Sequence, residues 1–294
     1  MTLSKELDLA IKFFETKTPK GEYWTPNGLK YETYMTNSEW DSFKSNMSVS
    51  ARDEYEAGGG DELTEKGGRP PKMACYGSSS RMIYTLSYQK ENFHFEKKLP
   101  TTVGGTANLD GFFEESNRYV FVEAKCHEPY SKKASSVSTA YKELYDYINE
   151  NMPDSLFIQA EPTTNPKLMK VEYIAEWEKL EYFDLKQLIC HLLGIATAIL
   201  QGKLEQKQID FIYLLYDPTE LELASDTKEK IDSIYERICY ECNLVDVAAL
   251  FRAVLSYLNE KKYGYTLSSE TIEQIAFRFT FTLASQDFYP ILIQ

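Results

Sequence analysis

Asn108-Leu109-Asp110-Gly111-Phe112-Phe113-Glu114-Glu115-Ser116-Asn117-Arg118-Tyr119-Val120-Phe121-Val122-Glu123-Ala124-Lys125 decides the fold of this chain. Residues 119–122 are a solid run of aromatic and β-branched side chains, the composition that suits a pleated, buried strand. The spacing predicts strands over 106–114 and 118–126, turning at Ser116-Asn117. With a two-residue loop, Glu115 pairs with Arg118. Stepping back along both strands then sets Asp110 opposite Glu123 and Asn108 opposite Lys125. Side chains alternate along a strand, so Glu123 and Lys125 share a face, and Asp110 joins them. Directly opposed residues have Cβ atoms about 4.5–5.5 Å apart.

Two carboxylates that close repel when both are ionised. A hard divalent cation resolves the conflict, because Mg²⁺ prefers carboxylate and water oxygens and keeps several waters. A lysine beside them can position or deprotonate an attacking water and can stabilise charge on a phosphate. Metal plus lysine therefore suits phosphodiester hydrolysis.

Outward from the hairpin, residues 93–99 alternate as a strand that carries Glu96, and Ser79 or Ser80 can cap a helix running to Lys90. Residues 57–80 are rich in glycine and polar residues and read as one long loop. Upstream, 4–16 is an amphipathic helix ended by Pro19, and 37–47 is a second short helix. Downstream, 139–149 looks helical and 155–159 extended. Asp184 caps the clearest helix, 184–201, whose apolar stripe runs through Leu185, Leu188, Ile189, Leu192, Ala196 and Ile199 and stops at Gly202. Residues 209–216 are a nearly continuous apolar strand of the kind buried on both faces. Three helical patterns follow, at 226–242, 245–260 and 269–284, and no linker or repeat divides the chain. We expect one elaborated domain over 1–294 with a helical C-terminal extension over 226–294.

The chain has 294 residues, 43% hydrophobic and 14% aromatic, with net charge −13 and five cysteines. That composition supports a filled core and argues against disorder. No apolar run approaches the ~20 residues of a membrane helix. The odd cysteine count without framework spacing points to a reducing, cytoplasmic setting. The negative charge argues against a general nucleic-acid coat, which needs lysine and arginine.

Leu109-Asp110-Gly111, followed after the hairpin by Phe121-Val122-Glu123-Ala124-Lys125, resembles the PD-(D/E)XK nuclease signature. The ending Glu123-Ala124-Lys125-Cys126-His127-Glu128-Pro129 is similar to that of a group of uncharacterised bacterial restriction-endonuclease-like proteins. The resemblance implies a restriction-endonuclease-like α/β fold, with a mixed central sheet flanked by helices. Its core order of helix, three strands, helix and strand maps onto about 78–216, leaving 127–183 as an insertion and helical additions at both ends. It implies Mg²⁺ (with Mn²⁺ as substitute) held by Asp110 and Glu123, Lys125 assisting the water, and cleavage of DNA by an endonuclease. The position before Asp110 is Leu109 rather than proline, a common departure. The long insertion leaves 139–149 as a rival to 184–201 for the core helix.

Around this centre, the Ala124 carbonyl is a further candidate metal ligand. Glu96 either adds a ligand, holds Lys125, or faces solvent. In similar nucleases a polar residue of the later helix leans over the site, which singles out Gln187, with His191 one turn on; the plain alternative is a half-buried polar edge. Glu128 either binds a second cation or caps a loop. Arg69, Lys72, Arg81, Lys132 and Lys133 are phosphate-contact candidates or solvated loop residues. The pairs Cys126-His127 and Cys190-His191, and Cys239-x-x-Cys242 on a predicted helix, lack any zinc-finger or ribbon spacing. Two rivals remain: a binding protein that kept the fold without cleavage, and a carboxylate-pair glycosidase. The glycosidase is disfavoured by the lysine on the acid face and by the distance in sequence of Trp24, Trp40 and Trp177. The expected partner is nucleic acid, DNA first, with a homodimer where both strands are cut and no membrane.

Overall fold

The computed structural model describes residues 2–16, 31–58, 61–130 and 136–284. Pro19, Trp24, Lys132 and Lys133 lie outside them. The chain is a mixed α/β protein whose central five-stranded sheet is flanked by helices. Its strands are β1 (His94–Pro100), β2 (Thr106–Glu114), β3 (Arg118–Lys125), β8 (Gln208–Leu215) and β9 (Phe277–Leu283), in that spatial order. The first three run antiparallel, and β3, β8 and β9 run parallel.

The hairpin has the predicted register. Gly111 faces Val122, Phe112 faces Phe121, and the Glu115 N–H donates to the Arg118 carbonyl across a two-residue loop. Every residue of β3 after Arg118 is buried, as is every residue of β8 after Gln208. Helices cover both faces, so these strands alternate between two cores rather than between core and water. One core takes Tyr119 and Phe121 against α6 (Leu185–Leu200) and α8 (Val247–Lys261). The other takes Val120, Val122 and Ala124 with residues of α1 (Leu3–Thr16), α3 (Val49–Gly58) and α4 (Ser79–Ser87).

α6 starts where its cap predicts, with the Asp184 carboxylate accepting from the Gln187 N–H at 3.1 Å. The insertion is itself ordered over its described part. It holds α5 (Lys142–Asn151) and a second sheet, β4 (Ser136–Ser138), β6 (Leu168–Ala175) and β5 (Leu156–Pro162), with β7 (Glu178–Lys179) paired to β6. α7 (Ser225–Leu244) ties this insertion down through Glu241, which is buried and accepts from the N–H groups of Glu181, Tyr182 and Phe183.

Two expectations need correction. Residues 269–284 are not one helix: α9 (Ser269–Gln274) gives way to β9, the fifth strand. Phe277, Phe279 and Phe281 alternate with Arg278, Thr280 and Thr282, a period of two that fits a strand better than a helix. The C-terminal extension is thus helical only in part. Likewise 57–80 is not wholly loop. α3 reaches Gly58, and a 3₁₀ turn forms at Lys72–Ala74. α2 (Asn37–Asn46) closes the described N-terminal helices under a capping box of Thr36 and Glu39. No described helix is long and apolar enough to cross a membrane.

Candidate active site

Three acids stand at one level of the antiparallel strands. In the register of β1 and β2, Phe95 faces Gly111 and Lys97 faces Leu109, which sets Glu96 opposite Asp110. The register of β2 and β3 sets Asp110 opposite Glu123. Neither opposition is a ladder pair, because the backbone departs from regular pleat there. Glu96 has φ +52°, in the left-handed region that costs a non-glycine residue on the order of 1–3 kcal/mol. The side-chain alternation also slips at this level. Phe93, Phe95 and Phe113 pack into one core, whereas Leu99, Ala107 and Leu109 pack into the other. The β1–β2 ribbon therefore changes face at Glu96 and Asp110, and this brings both acids to the edge of β3.

Asp110 fills the gap in the ladder with its side chain, its Oδ2 accepting from the Ala124 N–H at 2.7 Å. The Lys125 carbonyl accepts from Tyr216 on the β8 side. Because consecutive carbonyls alternate between the edges of a strand, the Ala124 carbonyl points the other way, toward Asp110. Glu123 and Lys125 are buried and paired, with Lys125 Nζ donating to Glu123 Oε1 at 2.5 Å. α6 supplies two more groups. Gln187 Oε1 accepts from Lys125 Nζ at 2.6 Å, and His191 Nε2 lies 2.9 Å from Glu123 Oε2, close enough for an ion pair though not aligned as a hydrogen bond.

Glu96, Asp110, Glu123, Lys125 and Gln187 all line one cavity of about 370 Å³. The sequence-predicted residues are thus brought together. Gln187 is not a passive polar edge, and α6, not α5, is the helix that faces the acids. A second, more apolar cavity shares Lys125, Glu128 and Gln187 with the first and is walled by Tyr141, Tyr173 and Phe183.

The charges are unequally compensated. Burial raises Glu96 from its ordinary range to about 7, helped by Glu62 and Glu123. Burial, together with Glu123, raises Asp110 well above the usual carboxylate range. Burial opposes ionisation of Glu123 as well, but Lys125 and His191 outweigh it and hold Glu123 at about 2. Lys125 is held charged: Glu123 outweighs the cost of its burial and raises it further. The cavity therefore holds more acid than base, with oxygen donors on three adjacent strands. That donor set fits a hard divalent cation, which takes carboxylate oxygens and water.

Glu62 is a residue the sequence reading missed. It lines the same cavity, is buried, and its Oε2 has no hydrogen-bond partner among the described residues, while Oε1 lies 3.4 Å from Lys72 Nζ. Only its place just beyond the Gly58-Gly59-Gly60 run hinted at it. Glu128 braces a loop, accepting from the Cys126 N–H at 2.7 Å and from the Ser79 hydroxyl at 2.8 Å. Arg81 is no phosphate contact: it is buried, paired with Glu15, and stacked 4.9 Å from the Tyr76 ring. Of the other basic loop residues, Arg69 is exposed and Lys72 reaches the cavity.

No family model, curated protein or solved structure matches this chain, so fold and site rest on their own geometry.

Proposed function

We propose that the chain is a divalent-cation-dependent nuclease of restriction-endonuclease-like fold, acting on DNA phosphodiester bonds. One observation carries the reading: acids from three neighbouring strands, with a buried lysine beside them, line a single cavity beneath the Gln187 face of α6. The order α4, β1–β2–β3, α6, β8 also agrees with the core that the sequence resemblance implies.

Asp110 and Glu123 would hold Mg²⁺ or Mn²⁺, with Glu96 and the Ala124 carbonyl as further oxygen donors. A bound cation supplies charge neutralisation at the phosphate and acidifies water. The protein's own groups do the rest. Lys125 remains protonated between Glu123 and Gln187, so it acts as a fixed positive charge and water-orienting donor rather than as a base. Asp110 keeps the β2–β3 fork closed through the Ala124 N–H. His191 sets its Nε2 beside the second oxygen of Glu123. The adjoining cavity, walled by Tyr141, Tyr173 and Phe183, gives room beside Lys125 for the part of a substrate next to the cleaved phosphate.

The test is cleavage of plasmid and linear DNA, with RNA alongside, in Mg²⁺ and in Mn²⁺, comparing the wild type with Lys125→Ala. Equal cleavage by both proteins would refute the mechanism. A second reading, a binding protein without cleavage, draws on Glu123 already being engaged on both oxygens by Lys125 and His191. Absence of cation binding, unchanged by Asp110→Asn, would favour it.

A further inference from the structure

Outside the acid row, three metal-ligating side chains from remote segments meet: Asp8 on α1, Cys75 just after the Lys72–Ala74 turn, and His127 just after β3. Their donor atoms all lie within 4.8 Å of one another. Cys75 Sγ is 3.6 Å from Asp8 Oδ2, and His127 Nδ1 is 2.7 Å from Asp8 Oδ1. Asp8 and Cys75 are buried, while the His127 side chain is 30% exposed and leaves a way in. The chain at Gly77 is built around this meeting point. A Cβ there would lie 1.7 Å from Asp8 Oδ1 and 2.8 Å from His127 Nδ1, so only glycine lets the backbone pass so close.

We propose that Asp8, Cys75 and His127 form a metal centre of their own, for a borderline transition ion such as Zn²⁺. The donor set decides the class. A thiolate and an imidazole select zinc-like ions over Mg²⁺, which favours oxygen. Zinc bond lengths of about 2.0–2.3 Å in a tetrahedron place ligand atoms roughly 3.3–3.8 Å apart. The Cys75–Asp8 separation already has that value. The Asp8–His127 contact is shorter because a proton lies between the two atoms. On loading, that hydrogen bond opens, the Cys75 thiol proton and the shared Asp8–His127 proton are both released to solvent, and His127 binds through its freed Nδ1 lone pair with its Nε2 proton retained.

Three protein ligands leave a fourth position for water. Cys75 and His127 line the cavity that holds the acid row, so that position opens toward it. The ion also clips α1 to the end of β3, where the Ser4 hydroxyl already donates to the His127 carbonyl at 3.3 Å. This inference does not depend on the nuclease reading.

The test uses the full chain, stripped with a chelator and reloaded with equimolar Co²⁺ or Zn²⁺. We expect one tightly held ion per chain and, with Co²⁺, a thiolate-to-metal charge-transfer band with tetrahedral ligand-field bands. Both should vanish in Cys75→Ser and fall at least tenfold in affinity in His127→Gln, yet persist in Asp110→Asn and Glu123→Gln. X-ray absorption of the Zn²⁺-loaded wild type should show one sulfur among nitrogen and oxygen ligands, a readout that stands even where Cys75→Ser fails to fold. No retained ion, an ion without sulfur ligation, or an ion lost in Asp110→Asn instead of Cys75→Ser would overturn the proposal.

Discussion

The central sheet gathers buried and half-buried acids at two places, and they are treated in opposite ways. Asp210 on β8, 2% exposed, is surrounded by donors. Arg118 Nη1 reaches it at 3.0 Å, Arg278 at 2.6 and 3.1 Å, and Gln208 Nε2 at 2.6 Å. At the other end of β3, Glu96, Asp110 and Glu123 share one buried lysine and one histidine, with Glu62 adding to the acid excess. The first cluster is complete without a ligand, joining β3, β8 and β9. The second is left short of positive charge and includes a backbone residue at φ +52°. A sheet optimised only for stability would have treated both alike. The difference separates an acid whose charge the protein itself compensates from acids that the proposed cation would complete.

The largest expected effect breaks the comparison on the functional side. Lys125→Ala and Asp110→Asn should each lower single-turnover DNA cleavage in Mg²⁺ by about 10²–10³-fold or more, the scale of removing a charge-stabilising group. Asp210→Asn should leave the rate per folded molecule unchanged. If Asp210→Asn costs as much cleavage as Asp110→Asn, the two clusters are not functionally distinct.

On stability the ranking reverses. Asp210→Asn strips the partner from two arginines and should cost about 3 kcal/mol in chemical denaturation, the low end for breaking a buried pair because Arg278 is largely exposed. Asp184→Ala, which removes the cap that seats Gln187, should cost about 1 kcal/mol and lower cleavage through loss of the Lys125 contact. Retained Gln187 geometry and rate in that variant would show that packing alone positions α6.

The smallest effect sharpens the contrast most. Asn at position 110 still accepts from the Ala124 N–H but removes a carboxyl that burial and Glu123 hold against ionisation. Cation-free Asp110→Asn should therefore be more stable than wild type by a few tenths to about 1 kcal/mol. The gain should depend on pH. Burial raises both Glu96 and Asp110, so the native state holds protons that the unfolded chain has released. The contribution of Glu96 is greatest in acid and is lost as pH rises from about 4.5 through about 7, and Asp110 acts in the same sense. Glu123 behaves in the opposite sense: lowered to about 2, its contribution is present above its ordinary range near 4.5 and lost as pH falls toward 2. Denaturation midpoints of wild type and Asp110→Asn across pH 4–8, with and without Mg²⁺, check this. A gain that is independent of pH would sink the account of uncompensated charge.

Much of the site could be read from local pattern. The two-residue turn and period-two alternation place Asp110, Glu123 and Lys125 together, since both are nearest-neighbour properties of a hairpin. The cap at Asp184 and the stripe behind it likewise locate α6 and, with it, Gln187. What local pattern could not show was how the ribbon changes face at Glu96 and Asp110, because that slip is set by which core each strand end meets. β9 is written in the phenylalanine alternation, but the helical turns of α9 end only two residues before it, so local pattern does not mark where helix gives way to strand.

Side-chain alternation and turn chemistry act within a few residues, and so the chain alone determined the hairpin, its register, the buried strand at 209–216 (Gln208–Leu215 in the structure) and the acid–lysine triplet. Contacts among Glu62, Glu96 and Asp110, or among Asp8, Cys75 and His127, join segments with no periodic relation to one another. Only the packing of α1, the Lys72–Ala74 turn and the central sheet decided those, because proximity between distant segments depends on how whole elements bury their apolar faces.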